Sequence, residues 1–137
     1  MSGWIGVDLD GTLAEYNGWV SEQHIGKPVP LMVERVKRWL VEGKEVRIFT
    51  ARVDGGQAGI LMGDENSKRF EDVKAIKAVI EKWCMEHIGV ILPITNIKDY
   101  GMIQLWDDRC VQVVANTGMT IQEWMAGIGA FAERTGI

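Results

Sequence analysis

Apolar residues fall along the chain in short runs and helical stripes, each closed by turn-forming residues. Trp4-Ile5-Gly6-Val7 is such a run, ending in Asp8 and the turn Asp10-Gly11, and predicts a buried strand meeting a loop. Gly18, Gly26, Pro28 and Pro30 then break up a stretch too short for a long helix, which reads as a small hairpin. A helix is expected from Pro30, with Met32, Val33, Val36, Trp39 and Leu40 on one face and Gly43 as its stop. Glu45–Phe49 predicts a second strand, closing on Thr50. Arg52–Ser67 carries several glycines with Asp54, Asp64 and Glu65 and reads as a long loop.

A second helix is expected with Phe70, Val73, Ile76, Ile80, Trp83, Cys84 and His87 on its inner side, ended by Gly89. Val90-Ile91-Leu92 with Ile94 predicts a third strand interrupted by Pro93, Met102–Trp106 a fourth, and Val111–Val114 a short fifth at an edge. Thr120-Ile121-Gln122-Glu123 has the capping-box pattern and opens a C-terminal helix with Ile121, Trp124, Met125 and Ile128 inward. Strands alternating with helices imply an α/β fold, a three-layer Rossmann-like arrangement around a mostly parallel sheet. Active sites of such sheets lie at the carboxyl ends of the strands. Asp8, Asp10, Thr50, Lys98, Asp107 and Asp108 all follow predicted strands and converge on that edge.

Composition narrows the setting. A chain of 137 residues is one domain's worth and can bury a real core without staples. Its net charge of −4 argues against bulk nucleic-acid binding. Two cysteines make no disulfide framework. The first ten residues reach two acids at once, leaving no room for a secretory apolar region, and no apolar run approaches a membrane span. The expected setting is therefore a reducing cytoplasm, away from membranes. Most of the six tryptophans should be core, with Trp19 as readily a substrate or subunit contact.

Several carboxylates gathered in one place repel unless a cation offsets them, and an oxygen-only donor set points to a hard ion, Mg²⁺. With one hydroxyl and one lysine, the set suits phosphoryl transfer. Arg52 and Arg109 read best as partners of nearby carboxylates. Cys84 and His87 share a helical face and read as core rather than as a metal pair. Cys110 has no histidine partner in the pattern.

These residues resemble a known family. Asp8-Leu9-Asp10-Gly11-Thr12-Leu13 is similar to the first motif of the haloacid dehalogenase-like (HAD) superfamily, and Phe49-Thr50-Ala51-Arg52 to its second. Lys98 resembles the third-motif lysine and Trp106-Asp107-Asp108-Arg109 the acidic fourth motif, in the family's order. The resemblance implies an aspartyl-phosphate on Asp8, with Asp10 as general acid and then base. It implies Mg²⁺ held by Asp8, the Asp10 backbone carbonyl and Asp107, with Asp108 binding directly or through water. Thr50, the Ala51 amide and Lys98 would hold the phosphate. The aspartate two residues after Asp8 favours a phosphatase over the family's other branches.

About residues 12–29 remain for a flap and 52–67 for a loop near the site, so no cap domain fits, and the chain resembles the capless, minimal branch as a single domain over 1–137. An open site would admit a bulky phosphorylated substrate, a macromolecular end as well as a small ester, or be partly closed by another subunit in a homo-oligomer. The Lys68-Arg69 pair leaves a nucleic-acid end in play, whereas the net charge favours small esters. The rival reading is an inactive phosphate-, Mg²⁺- or partner-binding module on the same scaffold.

Overall fold

The computed structural model describes residues 2–55 and 64–127, with side chains of the second stretch described from Lys68 onward. Strands β1 (Trp4–Asp8), β2 (Glu45–Phe49), β3 (Ile94–Thr95) and β4 (Met102–Trp106) form one sheet in the order β3-β2-β1-β4, parallel throughout. Helix α1 (Pro30–Val41) connects β1 to β2, and α2 (Asp64–His87) connects β2 to β3. Parallel neighbours require such crossovers, which are right-handed almost without exception. The architecture is α/β and Rossmann-like, as the alternation of patterns predicts.

Strand residues alternate faces, so Ile5, Val7, Val46 and Ile48 point one way. They share a core with Val33 and Val36 of α1 and with Val73, Ile76, Ile80, Trp83 and Cys84 of α2. The predicted inner faces of both helices are thus confirmed at their centres, while Phe70 and His87 are only partly covered. The His87 ring lies against Trp83 at 4.7 Å between centroids. On the opposite face the buried Trp4 indole is covered by the Arg47 guanidinium at 4.5 Å and donates to Asp99 at 2.8 Å. Trp4 and Trp83 are the deeply buried tryptophans. Trp39 and Trp106 pack against each other at 5.0 Å, and Trp19 and Trp124 are exposed.

Four expectations need correction. Residues 90–92 are not strand; β3 holds only Ile94 and Thr95, because Pro93 has no N–H for the ladder and offers only its carbonyl, to Ile48. Val111–Val114 forms no fifth strand; only an isolated bridge joins Val113 to Thr120, and Val111 and Val113 remain exposed. Of the loop expected over Arg52–Ser67, the start belongs to a single 3-10 turn at Ala51–Val53 and the end to α2 from Asp64, and residues 56–63 lie outside the described residues. The Thr120–Glu123 capping box forms, with reciprocal bonds of 2.9 and 3.0 Å opening helical residues 121–127. However, Ile121, Trp124 and Met125 are exposed rather than inward, and Ile128 lies outside the described residues. A capping box specifies where a helix starts but not what covers it.

The stretch between β1 and α1 is the flap. Its base is closed like a hairpin, by an antiparallel bridge of Ala14 with Pro28 and by bonds from Glu15 N to the Lys27 carbonyl and Val29 N to the Leu13 carbonyl, each 2.8 Å. Gly26 is required there, since a Cβ would sit 2.0 Å from the Glu15 carbonyl oxygen. Trp83 of α2 donates to the Gly26 carbonyl at 3.0 Å and ties the flap to the body. No described helix is long and apolar enough to cross a membrane.

Candidate active site

The parallel register of the central strands assembles the acids. Val7 is paired with Trp106, so Asp8, the last residue of β1, and Asp107, the first residue past β4, come to lie side by side. Asp108 follows, and carboxylate oxygens of Asp8, Asp107 and Asp108 lie within 4.8 Å of one another. The Gly11-Thr12 part of the first motif explains how Asp108 gets so close. Gly11 has φ +90°, and a Cβ on it would meet Asp108 Oδ2 at 2.5 Å. The Thr12 hydroxyl donates to Asp108 Oδ1 at 3.3 Å. Gly11→Ala should therefore cost about 1–3 kcal/mol from backbone strain and displaced Asp108. A thermal melt reads the loss; a melt like wild type would show that this contact is not needed.

Asp8 is the electrostatically stressed member. Burial, followed by the Asp107 charge, a hydrogen bond with Asp108 and the charges of Asp108 and Asp10, raises it from an ordinary 3.8 to about 7. Among the described residues no lysine or arginine forms an ion pair with Asp8, Asp107 or Asp108. Asp107 instead accepts the Arg109 backbone N–H at 2.7 Å.

Asp10 stands apart from that trio. Arg52 grips both of its oxygens, Nε to Oδ2 at 2.7 Å and Nη2 to Oδ1 at 2.8 Å, the forked geometry guanidinium favours. The pairing expected for Arg52 is thus present, and the carboxylates that gather are those of Asp8, Asp107 and Asp108, without that of Asp10. Arg52 does more than pair. Its Nη1 donates to the Glu22 carbonyl at 3.2 Å, its Nη2 to the His24 carbonyl at 2.8 Å, and its guanidinium lies 5.0 Å from the Trp19 ring centroid. With 6% of its side chain exposed, Arg52 fastens the flap to the carboxyl edge of the sheet. Sequence reading missed that link, because backbone carbonyls carry no sequence signal.

These groups line a cavity of about 490 Å³. Asp8, Asp10 and Asp107 face it with Thr50, Ala51, Arg52 and Arg109, as do Tyr16, Trp19 and Glu22 of the flap. Thr50 is 2% exposed at the end of β2; its hydroxyl accepts the Arg52 N–H at 3.2 Å and so keeps its own proton to donate. Lys98 is exposed, three positions beyond β3, and does not line the cavity. The cations that do are Arg52, Arg109 and Arg69, whose Nε donates to the Asp54 carbonyl at 2.8 Å. Arg109 forms no ion pair among the described residues, so the carboxylate partner expected for it is not found. Cys110 is exposed, and slight desolvation together with Asp107 pushes its thiol upward, the wrong direction for a thiolate nucleophile.

No family model matches the chain, and no curated protein matches it. Among solved structures it is similar to a conserved protein coded by a locus from Bacteroides thetaiotaomicron, at 19% identity and a TM-score of 0.48, covering 98% of this chain and 93% of that one.

Proposed function

We propose that the protein is a Mg²⁺-dependent phosphatase that hydrolyses phosphate monoesters through an aspartyl-phosphate on Asp8. The observation that carries this reading is the contrast between two sets of acids on one strand edge. Asp10 is paired with an internal arginine, whereas Asp8, Asp107 and Asp108 crowd together with no ion-pair partner among the described residues. Such an arrangement is stable and useful when an external hard cation supplies the missing charge. Three carboxylates with no nitrogen or sulfur among them fit Mg²⁺. When bound, the ion would neutralise charge on the transferring phosphoryl group and keep Asp8 ionised.

The chain's own residues then divide the work. A carboxylate oxygen of Asp8 attacks phosphorus as the bond to the ester oxygen breaks, and that oxygen leaves with a proton from Asp10. Water next attacks the aspartyl-phosphate and gives its proton to the Asp10 carboxylate. Breaking of the bond between phosphorus and the Asp8 oxygen then releases orthophosphate and restores Asp8. Thr50 and the Ala51 amide donate to the phosphate oxygens, and Arg109 takes the cationic role the resemblance assigns to Lys98. Arg52 leaves lone pairs on both Asp10 oxygens, so Asp10 can stay paired while holding on one of them the proton it gives to the leaving oxygen and later recovers from water. Two free thiols suit the reducing cytoplasm in which we place the activity.

The test is hydrolysis of an aryl phosphate by purified protein, with Mg²⁺ and with chelator. Hydrolysis that requires the ion supports the reading. A second reading, a phosphate- or Mg²⁺-binding module without turnover, draws on the engagement of both Asp10 oxygens by Arg52. Mg²⁺ binding with no hydrolysis across aryl, alkyl and nucleotide esters would establish it.

The same acids set a pH dependence. Because Asp8 is raised to about 7 in the folded chain, the native state holds a proton there that the unfolded chain has released. Asp8's contribution to stability therefore falls as pH rises from about 4 to about 7 and is flat beyond. Mg²⁺ should raise the melting temperature more at pH 8 than at pH 5. Melts at both pH values with Mg²⁺ and with chelator measure this, and an equal or reversed increment would count against the acid trio as the ion site.

A further inference from the structure

We infer that the flap carries a nucleobase subsite, making the preferred substrate a nucleoside monophosphate; this rests on the phosphatase reading above. A phosphate group fills only part of a cavity of about 490 Å³, a size that suits a small organic ligand. The surface beyond the phosphate-binding edge is aromatic. Trp19 and Tyr16 both line the cavity, yet they are 57% and 39% exposed. Trp19 is braced by the Arg52 guanidinium at 5.0 Å, and Arg52 is itself locked by Asp10 and two flap carbonyls. A large indole held in place while more than half exposed is a stacking platform for a flat ring.

Polar groups at the same rim select among flat rings. Glu22 and Arg69, 3.7 Å apart, and the Tyr16 hydroxyl offer acceptors and donors that match the hydrogen-bonding edge of a base and have no counterpart on a phenyl ring. Charge selects for length. The three lining arginines are outnumbered by acids, and the chain carries −4 overall, so the site provides for one phosphate beside an ion rather than for a polyanionic strand.

The experiment compares kcat/KM with Mg²⁺ for nucleoside monophosphates, glycerol phosphate, phosphotyrosine and a 5′-phosphorylated oligonucleotide, in wild type, Trp19→Ala and Trp19→Phe. Stacking on one indole predicts a preference for nucleotide over glycerol phosphate of about tenfold or more. Trp19→Ala should bring that ratio close to one, and Trp19→Phe should keep most of it. Equal ratios in wild type and Trp19→Ala, or a preference for phosphotyrosine, overturn the subsite. Faster turnover of the oligonucleotide, falling steeply with salt, overturns the mononucleotide assignment. If no ester is hydrolysed the phosphatase reading fails, yet calorimetric titration with a nucleoside monophosphate and Mg²⁺ still reads the subsite. Binding weakened about tenfold by Trp19→Ala upholds it, and no binding to wild type overturns it.

Discussion

Asp8→Asn should abolish phosphate-ester hydrolysis, with kcat lower by on the order of 10³-fold or more, while leaving a folded protein that is more stable than wild type at pH 8 without Mg²⁺. The two effects have one cause. Asparagine keeps the shape of the side chain but cannot attack phosphorus, and it removes the charge that burial, Asp107 and Asp108 oppose. The gain should be about 1 kcal/mol, or about 4 °C in melting temperature. It should vanish near pH 3, where the wild-type carboxyl is protonated in the native state and largely so in the unfolded chain. Steady-state rates and melts at the two pH values check both halves. Substantial residual Mg²⁺-dependent hydrolysis would remove Asp8 as the nucleophile, whereas a loss of stability at pH 8 would mean that the acids are not in conflict.

Arg52→Ala is expected to damage fold and activity together. It leaves the Asp10 carboxylate without its forked partner, frees the Glu22 and His24 carbonyls of the flap, and withdraws the support under Trp19. Removing one member of such a largely buried pair costs about 3 kcal/mol, or roughly 10 °C for a domain of this size. Turnover should fall about 10²-fold, because Asp10 loses the contact that orients it. Arg52→Lys should rescue little, since an ammonium cannot supply a fork and two carbonyl bonds at once. Wild-type melting and kinetics in Arg52→Ala would show that the flap is held by other contacts.

Much of this geometry was legible along the chain. Strand and helix periods located β1, α1, β2, the core of α2 and β4, because burial on a parallel sheet demands unbroken apolar runs and helical stripes. The capping box at Thr120 was readable for the same local reason. What failed were elements whose fate depends on neighbours distant in sequence. Residues 90–92 have the right residue types for a strand but pair with nothing until Ile94 meets Ile48. The apolar residues of 111–114 and 121–125 likewise remain exposed, since an apolar pattern cannot say whether a covering surface exists.

The candidate site divides along the same line. The sequence by itself picked out the candidate residues, because Asp8 ends a strand, Asp10, Thr50, Asp107 and Asp108 follow strands, and parallel strands present their carboxyl ends on one edge. Only the tertiary structure decided how those residues are apportioned. The register of β1 with β4 sets Asp8 beside Asp107, Gly11 and Thr12 admit Asp108, and Arg52 takes Asp10 out of the cluster and binds the flap with the same guanidinium. Lys98 is left outside the cavity and Arg109 inside it. Charge type is written residue by residue, but which opposite charge lies within reach is a matter of three-dimensional distance, and attraction falls off over a few ångströms.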